Sequence, residues 1–276
     1  MFGRRSSVVG LVIVVTLGFI ALFAPWLAPN DPTLVEPSRG FAGPSAAHWL
    51  GTDNLGRDTL SRLLFGARWS LGLVFAATLL VMSAGTGVGV VAGYFGGLLD
   101  DVLMRIVDTL LSVPGLLLGL AIVGILGPGI DSLMIGLASI WWVGYARIVR
   151  GLVLAVRERG FVDAARALGA SDHRIVVRHV LPSILPTVAV LASLEMGELV
   201  LAVSGLSFLG LGAQPPTPEW GAMLNDSRTF FFTAPQLMLY PGLAISIAVL
   251  GFNLLGDGLR DALDPADASR LRKIGV

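Results

Sequence analysis

Residues 157–182 read R-E-R-G-F-V-D-A-A-R-A-L-G-A-S-D-H-R-I-V-V-R-H-V-L-P and lie between two long apolar stretches, 132–156 and 180–206. Within this segment apolar side chains recur at helical spacing, which predicts a short amphipathic helix. These residues are Phe161, Ala164, Ala165 and Leu168. Gly169 predicts the left-handed turn that ends this helix, and Ser171 is positioned to cap the next one. The segment is therefore predicted to form a helix–turn–helix that connects two membrane spans.

The charge of this segment allows two interpretations. It is basic overall and apolar on one side, so it is suited to resting on a lipid surface with anionic headgroups. The same features suit an amphipathic helix that docks into a groove of a partner protein. Residue patterns alone do not separate these two interpretations.

The composition of the whole chain indicates a polytopic membrane protein. Its 276 residues are 54% hydrophobic and only 14% charged, whereas about 25% charged residues are typical of soluble domains. The 19 basic and 19 acidic residues cancel to zero net charge, which argues against a nucleic-acid binder. The chain has no cysteine, which removes disulfides and thiolate metal sites from consideration.

Apolar stretches of roughly 20 residues predict an all-α membrane protein with six transmembrane helices. The six predicted spans are 8–28, 69–99, 109–130, 132–156, 180–206 and 237–256. This pattern divides the chain into an N-terminal transmembrane helix (1–29), an external segment (30–68) and a five-helix core (69–276) that contains the loop 157–182. The first apolar stretch is alternatively a cleaved signal peptide, but it is long for one, and we favour a retained span.

The basic residues predict which ends of the spans face the cytoplasm. With a cytoplasmic N-terminus, fourteen of the 19 basic residues fall on the inner side. The five outer ones are Arg39, Arg57, Arg62, Arg68 and Arg228. Both termini and the loop 157–182, between spans four and five, are therefore predicted to be cytoplasmic.

Catalysis by this chain is not expected. A phosphate-binding loop needs a lysine after glycine, and the only lysine, Lys273, follows Arg272. His48, His173 and His179 all lie outside the predicted spans, so an intramembrane protease would lack its histidine base or metal ligands. We expect no cofactor and no metal bound by this chain.

Two acidic residues inside the fifth predicted span are candidates for the translocation path. Glu195 and Glu198 are three residues apart and share a helix face. Carboxylates within a membrane usually face a cavity or a partner. They either pair with an arginine or line a path that attracts a cation or an amino group. Pro114 and Gly115 predict a kink in the third span, and glycines at 85, 87, 89 and 93 predict close helix packing.

The loop also carries a recognisable signature. D-A-A-R-A-L-G followed by H-V-L-P resembles the E-A-A signature of permease subunits in ABC importers, with aspartate at 163 in place of glutamate. In that family this loop is the coupling helix that docks onto the ATP-hydrolysing subunit. The resemblance implies this role for Phe161, Val162, Asp163, Ala164, Ala165, Arg166, Leu168, Gly169, His179, Leu181 and Pro182.

Further motifs extend the resemblance over most of the chain. They are H-W-L-G-T-D-N-L-G-R-D at 48–58, G-Y-F-G-G at 93–97, G-L-S-F-L-G-L-G at 205–212, P-P-T-P-E-W-G at 215–221 and F-N-L-L-G-D-G-L-R-D-A-L-D-P at 252–265. All of them look like segments of the dipeptide, oligopeptide and nickel permeases. The segment 51–58 either holds an external binding protein or covers the outer mouth of the path.

The resemblance implies a multi-pass protein of a bacterial inner membrane with four kinds of interaction. The expected partners are the membrane, a homologous second permease, two ATP-binding subunits that hold ATP and Mg²⁺, and an extracytoplasmic solute-binding protein. Small peptides and nickel, free or chelated, both remain as substrates. N-D-S-R at 225–228 and P-G-L-A at 241–244 look more like the nickel branch. An ATP-independent secondary transporter or channel is the alternative.

Overall fold

The computed structural model describes residues 2–263. Over that range the chain is helical, with one isolated β-bridge between Thr52 and Asp58. The helices are α1 Phe2–Leu27, α2 Thr59–Phe95, α3 Gly97–Leu111, α4 Gly115–Leu126, α5 Ile130–Ile140, α6 Trp142–Arg157, α7 Gly160–Ala167, α8 Asp172–Ile175, α9 Leu181–Phe208, α10 Trp220–Ser227 and α11 Gln236–Leu263. A π-helical turn, Val176–Val180, joins α8 to α9.

Five helical stretches in the described part of the chain are long and apolar enough to cross a membrane. They are Ser6–Leu27, Thr59–Phe95, Ile130–Arg157, Asp172–Phe208 and Gln236–Ala262. The pair α3 and α4 is bent by 84° and makes a sixth crossing if it is counted as one span. The prediction of a multi-span, all-helical protein is therefore confirmed.

The third span departs most from its predicted form. A single span over 109–130 was wrong, because α3 starts at Gly97 and ends at Leu111 before the bend into α4. Proline has no backbone N–H and disfavours helical geometry in the residue before it. Pro114 therefore breaks the helix, and its neighbour Gly115 begins the next one.

Two other spans are longer than predicted. The second begins at Thr59 and not at residue 69, because the Asp58 carboxylate accepts a hydrogen bond from the Ser61 backbone N–H at 2.8 Å and caps the helix there. The fifth includes the second loop helix, which was wrongly expected to be separate. Pro182 lies in the first turn of α9, where a missing N–H is tolerated, so helical structure runs unbroken from Asp172 to Phe208.

Contacts between helix ends define two sides of the molecule. The backbone N–H of Asn30, just after α1, donates to Ser61 Oγ at the start of α2. The end of α2 meets the end of α6 where Arg157 Nη1 donates to the Tyr94 carbonyl at 2.9 Å. We call the side that carries α7 the inner side and the opposite one the outer side. The start of α1 and the end of α11 pack together on the inner side, where Gly258 abuts Ser7.

Glycines allow α2 and α6 to approach closely. A Cβ atom on Gly85, Gly89 or Gly93 would stand 2.5–2.9 Å from atoms of α6. Gly87, by contrast, has no such neighbour within 4 Å. The predicted packing role is confirmed for the first three glycines and is wrong for Gly87, which lies on another face of the helix.

Candidate functional site

The short helix α7 ends in a regular glycine turn. Gly169 has a positive φ of +79°, as its position in the sequence predicted. Its N–H donates to the Arg166 carbonyl, and the Ala170 N–H donates to the Ala165 carbonyl, both at 3.0 Å. This pair of hydrogen bonds defines the Schellman motif. Ser171 occupies the N-cap position of α8, but its side chain does not make the predicted capping hydrogen bond.

Helix α7 has one apolar face turned inward and another turned outward. Val162 is fully buried, and Ala165 packs beside it against the inner core of α2, α6 and α9. Phe161 and Leu168 point outward with 42% and 88% of their surface exposed. The sequence predicted a single apolar side, which is wrong because Val162 and not Leu168 anchors the helix. The outward apolar face is therefore available to contact another surface.

The outward face borders a groove of about 390 Å³ on the inner side. Its lining includes Phe161, Ala164, Leu168, Arg174 and His179. The rings of Phe161 and His179 lie 6.2 Å apart, so α7 contacts the π-helical turn that precedes α9. The groove is thus apolar along α7 and basic at its rim.

The remaining residues of the predicted coupling set lie around this groove. Asp163 and Arg166 form an exposed ion pair at 3.4 Å on α7. Leu181 is partly buried, while Pro182 is exposed at the start of α9. Exposed ion pairs contribute little to stability, so the fixed geometry of this surface depends on its buried apolar contacts.

Two polar contacts that the sequence analysis missed hold the loop to the end of α2. The Tyr94 hydroxyl donates to Asp172 Oδ1 at 2.7 Å, at the start of α8. The Arg157 guanidinium donates to the Tyr94 carbonyl, one of the last carbonyls of α2 that lack a partner within the helix. Tyr94 belongs to the G-Y-F-G-G motif, so the sequence drew attention to this position but not to its contacts. Together these contacts hold α7 and α8 against the inner end of α2.

Ion pairs also link α3 to α6. Arg150 forms a bidentate pair with Asp100, at 2.5 and 2.6 Å. Arg147 pairs with Asp108 about one turn earlier in α6. The sequence analysis did not identify these pairs.

The two candidate glutamates of the fifth span have different surroundings. Glu195 is partly buried, and its Oε2 lies 3.1 Å from the Tyr145 hydroxyl, which also lies 2.9 Å from the Leu191 carbonyl. Glu198 is exposed on the surface of α9. Neither forms an ion pair with any residue in the range 2–263. The predicted pairing with an arginine is thus not seen within the described part of the chain.

A buried charged cluster on the outer side was missed by sequence reasoning. Arg57 Nε lies 2.6 Å from Asp53 Oδ2, and Arg62 Nη2 lies 3.2 Å from Asp226 Oδ2. Both arginine side chains are nearly inaccessible to solvent. The cluster fastens the segment 51–58 to α2 and α10. Two of its members stand in the motif at 48–58, and Asp226 stands in N-D-S-R.

A second buried contact fixes α10 on α2. Glu219 is completely buried and caps α10 by accepting a hydrogen bond from the Ala222 N–H at 2.9 Å. Its other oxygen accepts from Ser70 Oγ at 2.8 Å. Trp220 fills the space above Gly66 and donates its indole N–H to the Leu63 carbonyl at 3.0 Å. The outer ends of α2 and α10 therefore form one rigid corner.

Comparison with known proteins identifies the family that has this architecture. The family model described as "Binding-protein-dependent transport system inner membrane component" matches residues 85–266. The chain belongs to this family. A second model, "N-terminal TM domain of oligopeptide transport permease C", matches residues 2–44. The chain is thus an inner-membrane, multi-pass component of a bacterial ABC transport system.

Individual members of the family match nearly the whole chain. It is 46% identical over 262 residues to the dipeptide transport system permease protein DppC of Alkalihalophilus pseudofirmus, covering 95% of this chain and 86% of that protein. It is 45% identical to the nickel transport system permease protein NikC of Escherichia coli K12, with 95% of both chains covered. It is also 45% identical to the glutathione transport system permease protein GsiD of Pectobacterium atrosepticum, covering 95% and 87%.

A solved structure of similar fold comes from a methionine ABC transporter. An inward-facing structure of the MetNI methionine ABC transporter matches with a TM-score of 0.56 and 21% identity. The match covers 74% of this chain and 97% of that one. At this identity the likeness concerns the fold alone. The family's permease fold thus accounts for most of the helices described above.

Proposed function

We propose that this chain is the permease subunit of an ATP-driven importer for small peptides. A homologous second permease completes the path, two ATP-binding subunits dock on the inner side, and an extracytoplasmic solute-binding protein delivers the peptide. The chain itself carries out no catalysis and binds no cofactor. In this proposal the inner side, with both chain termini, faces the cytoplasm.

The observation that supports this proposal is the exposed, apolar outward face of α7. Phe161, near the start of α7, and Leu168, directly after its last residue, expose apolar surface on a helix that Val162 fixes to the transmembrane core. An amphipathic helix of this kind suits a hydrophobic groove in a partner. The partner is proposed to be an ATP-binding subunit, which holds the ATP and the Mg²⁺. Because α7 is fixed to α2, α6 and α9, movement of the partner would move those helices.

Reconstitution tests this proposal against the alternative of an ATP-independent transporter or channel. The chain and its second permease are placed in liposomes with or without the ATP-binding subunits, and uptake of a labelled dipeptide is measured. We expect uptake only when the ATP-binding subunits, ATP and the solute-binding protein are all present. Uptake by the permeases alone, driven by an ion gradient, would establish the alternative.

Glu195 and Glu198 are proposed to line the translocation path. Glu198 is exposed within a membrane-spanning helix, where a carboxylate needs a cavity or a partner. A peptide carries an N-terminal ammonium group that two carboxylates would attract. A path lined by these two residues would therefore favour positively charged groups.

A charge-removing double substitution tests this role. Glutamine at both positions keeps the size of the side chains and the Tyr145 contact but removes both negative charges. We expect Glu195→Gln/Glu198→Gln to lower dipeptide uptake while assembly with the partners is unchanged. Glu36→Gln, in the external segment, is the matched control. Wild-type uptake by the double variant would remove these residues from the path.

Nickel, free or chelated, is the second candidate substrate. Two observations favour it: the 45% identity to a nickel permease and the resemblance of N-D-S-R and P-G-L-A to that branch. Against free nickel, the predicted spans contain no histidine or cysteine, and imidazole is a ligand that suits this metal. Calorimetry on the partner solute-binding protein, with a dipeptide, with nickel and with a nickel chelate, decides between these substrates.

A further inference from the structure

Both connections of helix α7 attach to one residue near the inner end of α2. Arg157, the last residue of α6, donates from Nη1 to the Tyr94 carbonyl at 2.9 Å. Asp172, the first residue of α8, accepts a hydrogen bond from the Tyr94 hydroxyl at 2.7 Å. The backbone of Tyr94 thus holds the chain that enters α7, and its side chain holds the chain that leaves it. We call these two hydrogen bonds the Tyr94 clasp.

The side chain of Tyr94 is held in place by its surroundings. Only 4% of its surface is exposed, and it lies in the same apolar core as Val153 of α6 and Val162 of α7. The positive charge of Arg166, on α7, also acts on the hydroxyl. The hydroxyl therefore has a fixed position from which it can orient the start of α8.

Asp172 differs from Tyr94 because it is exposed. Without the hydroxyl its carboxylate would remain in contact with water, so no buried charge would be left without a partner. The hydrogen bond is therefore not needed to keep the chain folded. What it determines is the position of α8, and with it the C-terminal end of α7, relative to α2.

The clasp joins the inner ends of two long helical stretches. Helix α2 runs without a break from Thr59, on the outer side, to the clasp. Asp172 begins the helical stretch that continues to Phe208. On the outer side, α2 carries Arg62, whose side chain lies 3.2 Å from Asp226 of α10. A displacement at the clasp therefore acts on both stretches and reaches the outer side through α2.

We propose that Tyr94 is a positioning residue, which transmits movement of α7 to α2 and to the stretch Asp172–Phe208. This role rests on the proposed function, in which an ATP-binding subunit moves α7. With the clasp intact, α7 and the inner ends of the two stretches move together. Without the hydroxyl, the start of α8 is no longer held to α2, and the loop absorbs part of the movement. The expected defect is therefore in coupling and not in assembly.

Tyr94→Phe tests this role because it removes one oxygen atom and keeps the buried ring. Proteoliposomes that contain the complete transporter are supplied with a labelled dipeptide, and uptake and ATP hydrolysis are measured on the same vesicles. We expect ATP hydrolysis to continue, while the ratio of uptake to hydrolysis falls. Stimulation of hydrolysis by the loaded solute-binding protein should fall as well, because the clasp lies between the outer side and the ATP-binding subunits. Tyr240→Phe, in the outer part of α11, is the matched control and should behave as the wild type.

Substitutions of Asp172 separate the hydrogen bond from the charge. Asp172→Asn removes the charge but keeps an oxygen that accepts from the Tyr94 hydroxyl, so coupling should stay close to that of the wild type. Asp172→Ala removes both and should resemble Tyr94→Phe. Because the two residues form one contact, the double variant Tyr94→Phe/Asp172→Ala should be no worse than either single variant.

Hydrogen exchange on the same transporter gives a measure that does not depend on transport. A hydrogen bond to a charged group corresponds to about tenfold in a local opening equilibrium. We therefore expect amide exchange in α8 to become about tenfold faster in Tyr94→Phe and to stay unchanged in α10.

The outcomes distinguish this role from the proposed function. A wild type without ATP-dependent uptake would overturn both. ATP-dependent uptake in the wild type, with an unchanged ratio in Tyr94→Phe, would overturn the role of Tyr94 alone. Equal losses in Asp172→Asn and Asp172→Ala would also overturn it, because the charge and not the hydrogen bond would then be responsible. Unchanged exchange in α8 would overturn it as well, since the clasp would then not hold this segment.

Discussion

Substitution of Gly169 isolates the contribution of one backbone conformation to coupling. Its φ of +79° is in the left-handed region, and a Cβ atom added there would have no neighbour within 4 Å. The first atom of a new side chain therefore meets no steric obstacle among the described residues. Any effect of Gly169→Val comes from the backbone conformation that a β-branched residue resists.

The magnitude follows from the cost of that conformation. A residue with a Cβ atom pays about 1–2 kcal/mol in the left-handed region, and asparagine pays less. This cost lowers the population of the native turn roughly five- to thirtyfold relative to alternatives. The chain as a whole stays folded, because the turn is exposed and the buried contacts of Val162 are untouched. We expect the order of coupling to be glycine, asparagine, alanine, valine, from strongest to weakest.

Proteoliposomes that contain the complete transporter provide the assay. Dipeptide uptake and ATP hydrolysis are measured on the same vesicles, and their ratio gives the coupling. We expect Gly169→Val to lower this ratio, and hydrogen exchange in α7 to become faster. Gly160→Val is the matched control, since Gly160 also has open space around it but no positive φ.

Two results would refute this reasoning. Full coupling in Gly169→Val would show that the turn does not transmit movement. An equal loss in Gly169→Asn and Gly169→Val would show that the defect comes from the added side chain and not from the backbone conformation.

Leu168→Ala should weaken association with the ATP-binding subunits by about 2 kcal/mol, the free energy of burying one leucine side chain. Ile125→Ala, at a position that is about equally exposed (85% against 88%), should leave this affinity unchanged. Surface plasmon resonance measures the affinity of both variants. Gly89→Ala should destabilise the protein by about 1–3 kcal/mol, since its Cβ would stand 2.6 Å from the Ala146 carbonyl oxygen. Gly87→Ala, with open space, should be neutral or stabilising by about 0.5–1 kcal/mol; thermal unfolding compares the two, and equal melting temperatures would contradict the packing argument. Arg62→Gln should destabilise the protein by about 1–3 kcal/mol, because it removes one of the two arginines that pair with Asp53 and Asp226 while Arg57 remains, and a wild-type unfolding curve would contradict the role of this cluster.

Local sequence patterns predicted the features that depend on neighbouring residues. The apolar stretches gave the positions of α1 and α11 closely, because burial in lipid requires them. Gly169 predicted its turn, and Pro114 predicted the bend, because each has a conformational preference of its own. The size of the bend, 84°, depends on how α3 and α4 pack, and so it was not predictable.

The contacts that hold the candidate site in place were not predictable from such patterns. Tyr94 and Asp172 are separated by 78 residues, and Arg57 and Asp226 by 169. Such pairs form only after helices have packed, and any exposed arginine in the sequence has many alternative partners. The inward position of Val162 has the same cause. Several apolar positions on α7 satisfy helical spacing, and only the neighbouring helices decide which of them are buried.

The unbroken helix from Asp172 to Phe208 has a geometric consequence for how movement at one end reaches the other end. Its 37 residues correspond to a rod ~55 Å long, which is longer than the ~30 Å hydrocarbon layer. A rotation of only ~5° about its inner end displaces the outer end by ~5 Å, about one helical turn. Displacements of a few ångströms at α7 therefore need no amplification by unfolding or sliding. The length of the helix alone converts a small angular change on one side into a displacement of several ångströms on the other.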